Sequence, residues 1–126
     1  MPPVDPTGHD LKRFLAEDDG RPVTMLNLLR FKPQGGRDSY MQYAAAIAPF
    51  LKKVGGTVVY FGETATPLVA PESDTPWDAV LLVRYPTRAA FGQMVANPDY
   101  QQITSLRTEA LSSAVLQATV PWGQAA

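Results

Sequence analysis

Apolar positions along this chain recur at two periods, and the switches between them mark out the elements. Thr7 is placed to cap a first helix, with Asp10 three residues on, as in a capping box. Leu11, Phe14 and Leu15 follow at helical spacing and Gly20 supplies the stop, which predicts a helix over residues 7–19. The run Pro22 to Phe31 (PVTMLNLLRF) is apolar on both faces and reads as a central strand. Lys32 to Arg37 is a loop. Asp38 or Ser39 caps the next helix, whose apolar stripe is Tyr40, Tyr43, Ile47, Phe50, Leu51 and Val54. Pro49 falls inside this stripe and should kink it, and Gly55-Gly56 ends it.

Thr57 to Glu63 (TVVYFGE) is a second strand. Thr64 to Pro76 is a long connection punctuated by proline, in which Leu68 and Val69 could lengthen a strand. Trp77 to Tyr85 is the third strand. Thr87 caps a helix carrying Phe91, Met94 and Val95 on one face. Asn97-Pro98 stops it and opens the next, with the proline at the first helical position. Tyr100, Ile103, Arg107, Ala110 and Leu111 then recur at three- and four-residue steps, and Ser113 to Trp122 is the last strand.

After the first helix the order is β-α-β-β-α-β, the split pattern of ferredoxin-like α+β folds. Right-handed crossovers put the first and third strands at the centre of one antiparallel sheet. Helices cover one face only. The other face keeps apolar residues and needs a cover of its own. A second copy of the same sheet is the simplest one, which predicts a homodimer with two sheets packed face to face into a barrel. Pockets would lie between sheet and helices. The whole chain, 1–126, reads as one such domain: the helix at 7–19 and a core from 22 to 122.

Three segments carry a family likeness: NLLRF (Asn27 to Phe31), the Tyr-rich helix closing on Val54-Gly55-Gly56, and YPTRAAFGQMVANPDY (Tyr85 to Tyr100) with Arg107 and Leu111 behind it. In these the chain resembles the dimeric α+β barrel superfamily, and within it a branch of small bacterial proteins of uncharacterised function. The likeness implies the fold more strongly than any activity. Other members of that superfamily include cofactor-independent monooxygenases, muconolactone-type isomerases, haem-degrading enzymes and stress-response proteins.

Composition narrows the chemistry. The 126 residues favour one domain; 45% are hydrophobic and 18% charged, which is ordinary for a globular protein. Net charge is −1 and the basic residues are scattered, so neither nucleic acid nor an anionic membrane is an expected partner. Cysteine is absent, which removes disulfides, thiolate nucleophiles and iron–sulfur ligation. The N-terminal residues lack the apolar run of a signal peptide, and the expected location is cytoplasmic. His9 is the only histidine and precedes the barrel strands, so a proximal haem ligand or a two-histidine metal site is not expected. The paired glycines lack the context of a phosphate loop. No cofactor is predicted.

The candidate catalytic residues are Asn27, Glu63 and Tyr60. Asn27 is an amide in an otherwise apolar central strand, where burial without a partner would cost a few kcal/mol. It is either satisfied within the core or aimed at a pocket, and it resembles the substrate-orienting amide of some barrel monooxygenases. Glu63 is a general base if burial raises its pKa, or else a strand end facing water. Tyr60 is a proton carrier or a core aromatic. The candidate substrate-binding residues are Arg30, Trp77, Arg84 and Arg107. Arginine near a pocket would hold a carboxylate or phenolate oxygen, and Trp77 could stack on a flat substrate. Arg107 sits on a helical stripe where an apolar residue belongs. It must pair with a carboxylate, cap carbonyls or reach a cavity. Two roles follow: a dimeric protein binding a small aromatic or anionic molecule without catalysis, or a cofactor-independent monooxygenase or isomerase.

Overall fold

A computed structural model describes residues 4–72 and 76–123. Helix α1 (Gly8–Ala16) is capped as its sequence demands, with the Thr7 hydroxyl accepting from the Asp10 amide at 3.0 Å. Its apolar face lies on helix α3 (Arg88–Ala96). Phe14 meets Phe91 edge-on with ring centres 5.3 Å apart. Leu15 lies over Gly92, where a Cβ would stand 2.8 Å from its Cδ2, so the two helices approach through the missing side chain.

Four strands, β1 (Val23–Phe31), β2 (Thr57–Glu63), β3 (Ala79–Tyr85) and β4 (Leu111–Thr119), form one antiparallel sheet in the order β2-β3-β1-β4. This is the α+β, ferredoxin-like arrangement the element order implies. Helix α2 (Gly36–Val54), α3 and α5 (Thr104–Ala110), with the one-turn α4 (Pro98–Gln101), complete the chain. None of the described helices is long and apolar enough to cross a membrane.

Strand alternation sorts the sheet into two faces. Val23, Met25, Asn27 and Leu29 of β1 are buried toward the helices, as are Ala79, Val83 and Tyr85 of β3. They meet Tyr40, Tyr43 and Leu51 of α2 and Phe91 and Met94 of α3 in one core. The opposite face carries Leu26 and Leu28 beside Val80, Leu82 and Val115, with Thr24, Arg84 and Thr119 toward one end. In the single chain these apolar residues are only partly covered.

Several local expectations are corrected. The cap of α2 is Gly35, in the left-handed region at φ 76°, not Asp38 or Ser39. The Ser39 hydroxyl is engaged elsewhere, donating to the Leu106 carbonyl at 2.8 Å and tying α2 to α5. Helix α2 continues through Pro49 and ends at Gly55, φ 80°, as a left-handed C-terminal glycine should. Leu68 and Val69 extend no strand and are fully exposed. Strand β4 begins at Leu111, two residues earlier than the alternation suggests. It stops at Thr119, short of Pro121, which has no amide to donate.

Candidate functional site

Strands β1 and β3 and helices α2, α3 and α5 line a partly open cavity of about 510 Å3 between sheet and helices. Its walls are largely apolar, with Met25, Leu81 and Val83 from the sheet, Ile47 and Leu51 from α2, Phe91 and Met94 from α3, while Asp5, Gln101, Thr104 and Thr108 add polar groups. Into this lining project Asn27, Arg107 and the hydroxyl-bearing rings of Tyr40, Tyr43, Tyr85 and Tyr100.

The tyrosines arrive on separate elements. Three-residue spacing on α2 puts Tyr40 and Tyr43 on one face, with their rings 5.5 Å apart. Tyr100, on α4, meets Tyr43 hydroxyl to hydroxyl at 2.7 Å. Burial raises the pKa of all four. Tyr40 is pushed up to about 12, although the Arg107 guanidinium beside it pulls the other way. Tyr43 and Tyr85 are raised by burial, Tyr43 further by its bond to Tyr100. Tyr100 is also raised by burial, with the Tyr43 bond and Arg107 partly offsetting it. At neutral pH the cavity is therefore lined by un-ionised hydroxyls able to donate to a ligand oxygen.

The Tyr43–Tyr100 bond yields a direct prediction. Tyr43→Phe leaves the buried Tyr100 hydroxyl without this partner and should cost about 1–3 kcal/mol. Tyr43→Phe combined with Tyr100→Phe should cost less than the sum of the two single changes, because no widowed hydroxyl remains. Chemical denaturation of the three variants checks this; strict additivity would mean that the bond contributes nothing.

Arg107 fulfils all three options open to it. Only 6% exposed, it donates through Nη1 to the Val4 carbonyl and to Asp5 Oδ1, the latter at 3.3 Å, and it lines the cavity. Its Nη2 is buried without a hydrogen-bond partner among the described residues. Asn27 lies on the helix face of β1, 6% exposed. Its amide nitrogen makes only long contacts, 3.5 Å to the Met25 carbonyl and 3.4 Å to that of Leu81. These exceed the ~2.9 Å of a well-formed bond, so the amide is loosely held and within reach of a guest.

The remaining candidates lie elsewhere. A β-bulge between Val58 and Tyr60 turns Tyr60 to the open face, opposite Leu82 and 55% exposed, while Phe61 faces the cavity. Glu63 ends β2 in an exposed ion pair with Arg37 at 3.0 Å. Arg30 stacks on Trp77, 4.3 Å from the ring centre, and donates to the Pro76 carbonyl at 3.3 Å. Arg84 is on the open face between Thr24 and Thr57. Glu63 and Trp77 border a second, more open depression at the sheet end, where no buried polar group converges among the described residues. Of the seven candidates, only Asn27 and Arg107 share the cavity between sheet and helices. The tyrosines beside them had read as apolar core. The one signal for them in the sequence is the coincidence of Tyr40, Tyr43 and Tyr100 with Arg107 on stripes facing the same sheet.

Comparison with known proteins supports the fold and stops short of an activity. A family model described as a domain of unknown function, DUF1330, matches residues 35–119. A crystal structure of a protein of unknown function from Rhodopseudomonas palustris is 30% identical, with TM-score 0.90, over 98% of this chain and 100% of that one. A dimeric ferredoxin-like protein of unknown function from Jannaschia shares the fold at 13% identity and TM-score 0.59, over 79% of this chain and 99% of its own. So does a cofactor-independent oxygenase from Streptomyces nogalater, at 15% identity and TM-score 0.58, over 82% and 96%. No curated protein matches the chain.

Proposed function

Because the chain belongs to the DUF1330 family, whose function is unknown, we propose its role from its own cavity: it binds a small, flat molecule carrying an oxygen acceptor. The observation that carries this reading is the burial of Arg107 and four tyrosines around one largely apolar space of about 510 Å3. That volume is within the ~300–1,000 Å3 usual for small-ligand sites, and a few placed polar groups on apolar walls are their usual composition. Aromatic walls favour a planar guest. The donors favour an oxygen-bearing one.

Binding without catalysis fits the residues best. The hydroxyls are held un-ionised well above neutral pH, and neither Glu63 nor Tyr60 is positioned to move a proton in this cavity. The alternative is a cofactor-independent monooxygenase or isomerase, with Asn27 orienting the substrate. Asn27's place in the cavity and its slack amide contacts favour that role. Titration calorimetry with bicyclic aromatic probes, 2-naphthoate and 2-naphthamide, tests the binding reading. At least one should bind with unit stoichiometry per chain, and binding of neither would overturn it. Steady turnover of a dihydroxynaphthalene under oxygen, abolished by Asn27→Ala, would favour the alternative.

The assembly we infer is a homodimer through the open sheet face. Leu26, Leu28, Val80, Leu82 and Val115 form an apolar patch there that the helices do not cover, and fold neighbours of this kind are dimeric. The cavities lie on the other side of each sheet and remain separate.

A further inference from the structure

We propose that the ligand of this cavity is a planar carboxylate, and that Asp5 occupies the carboxylate's place at Arg107 until the ligand displaces it. This inference rests on the cavity being a small-molecule site and adds the charge of the guest and the device that receives it.

A guanidinium presents parallel N–H pairs that match the two oxygens of a carboxylate. Here the match is half made. Asp5 reaches Nη1 alone, at 3.3 Å, and Nη2 has no partner among the described residues although the side chain is 93% buried. A buried charged donor left idle is costly, so the site is poised to gain from an acceptor that engages both nitrogens.

Asp5 is also a weakly committed partner. Its side chain is half exposed, against the 7% exposure of Arg107. Among the described residues, its one partner besides Arg107 is the Thr108 hydroxyl, at 3.0 and 3.2 Å. It stands two residues ahead of Thr7, the cap that starts α1. A rotation of its side chain returns the half-exposed carboxylate to water, and the cost of the move lies with Arg107, whose buried charge loses its counter-ion. Once it leaves, the Arg107 charge faces an apolar, aromatic space without a counter-ion. A ligand carboxylate restores neutrality there and a neutral ligand does not. The Asp5–Arg107 pair thus sets a preference for a monoanion.

The test compares 2-naphthoate with its uncharged isostere 2-naphthamide on the parent protein, Asp5→Asn and Arg107→Met. Removing a built-in competitor raises the population of the receptive state. Asp5→Asn should therefore tighten naphthoate binding by about tenfold and leave naphthamide within about twofold. Arg107→Met should remove naphthoate binding and retain naphthamide, which also reports that the variant is folded. Unchanged or weaker naphthoate binding in Asp5→Asn would overturn the proposal, and so would a parent protein that takes the amide and refuses the acid. In both of these cases the cavity still stands as a small-molecule site. If neither probe binds the parent protein, the cavity reading itself fails, and this inference with it.

Discussion

Raised above pH 10, the protein is expected to unfold within about two pH units, in a single step. Tyr40 has an ordinary pKa of 10.0 and is held up to about 12 in the folded chain; Tyr43, Tyr85 and Tyr100 are raised as well. Below pH 10 both states keep these protons and stability does not depend on them. Above it, the unfolded chain releases protons that the folded chain retains, so stability falls with rising pH until the folded pKa is passed. Each tyrosine that stays protonated across that window costs about 1.4 kcal/mol per pH unit, so Tyr40, Tyr43 and Tyr85 together cost about 4 kcal/mol per unit, and Tyr100 adds to this. A domain with the usual ~5–15 kcal/mol of stability does not survive this for long. Circular dichroism and tyrosinate absorbance, followed together, should change at the same pH. Tyrosinate from the four buried rings appearing while the ellipticity is intact would contradict the result, since it would mean that the cavity lets hydroxide in.

The second large effect concerns the open face of the sheet. Leu82 lies between Leu26 of β1 and Tyr60 of β2, in the middle of the apolar patch. Leu82→Arg should leave the protein monomeric at micromolar concentration. In a two-fold interface each copy would lose about 1.5–3 kcal/mol of leucine burial. Each would also bury an unpaired guanidinium in an apolar interface, which costs several kcal/mol more. The dissociation constant should rise more than ~1,000-fold. Sedimentation velocity reads this directly. Since Leu82 points away from the cavity, the monomer should still bind 2-naphthamide. A Leu82→Arg protein that remains dimeric, or a parent protein that is monomeric at micromolar concentration, would overturn the face-to-face assembly.

Much of this architecture was legible because each signal was local. Gly55 ends α2, Thr7 and Thr87 cap their helices and Asn97-Pro98 breaks one, and such features depend on a few neighbouring residues. The strand order then follows from the element order. The site was less legible. Asn27 and Arg107 stood out because each breaks an apolar pattern. Tyr40, Tyr43, Tyr85 and Tyr100 did not, since a tyrosine on an apolar stripe satisfies the pattern whether or not its hydroxyl meets another across a cavity. Tyr60 illustrates a different limit. Plain alternation along TVVYFGE would put it on the same face as Val58. The single extra residue, Val59, reverses its facing, and nothing within the seven residues announces that shift. The cap of α2 escaped for a third reason: Ser39 has the right chemistry, but α5, 67 residues later in the chain, claims its hydroxyl.

The sheet order also governs how the protein must come off the ribosome. Strand β1 is made early, yet its neighbour β4 follows only after two strands and most of the helices; Thr24 waits for Thr119, and Arg107 for Val4 and Asp5. Throughout that interval the nascent chain carries one of its most apolar strands with an open edge, the kind of surface that other chains can pair with. The sheet is accordingly complete only once Leu111–Thr119 has emerged. Val4 and Asp5, which close over Arg107, are made about a hundred residues before it and wait for it to find their place.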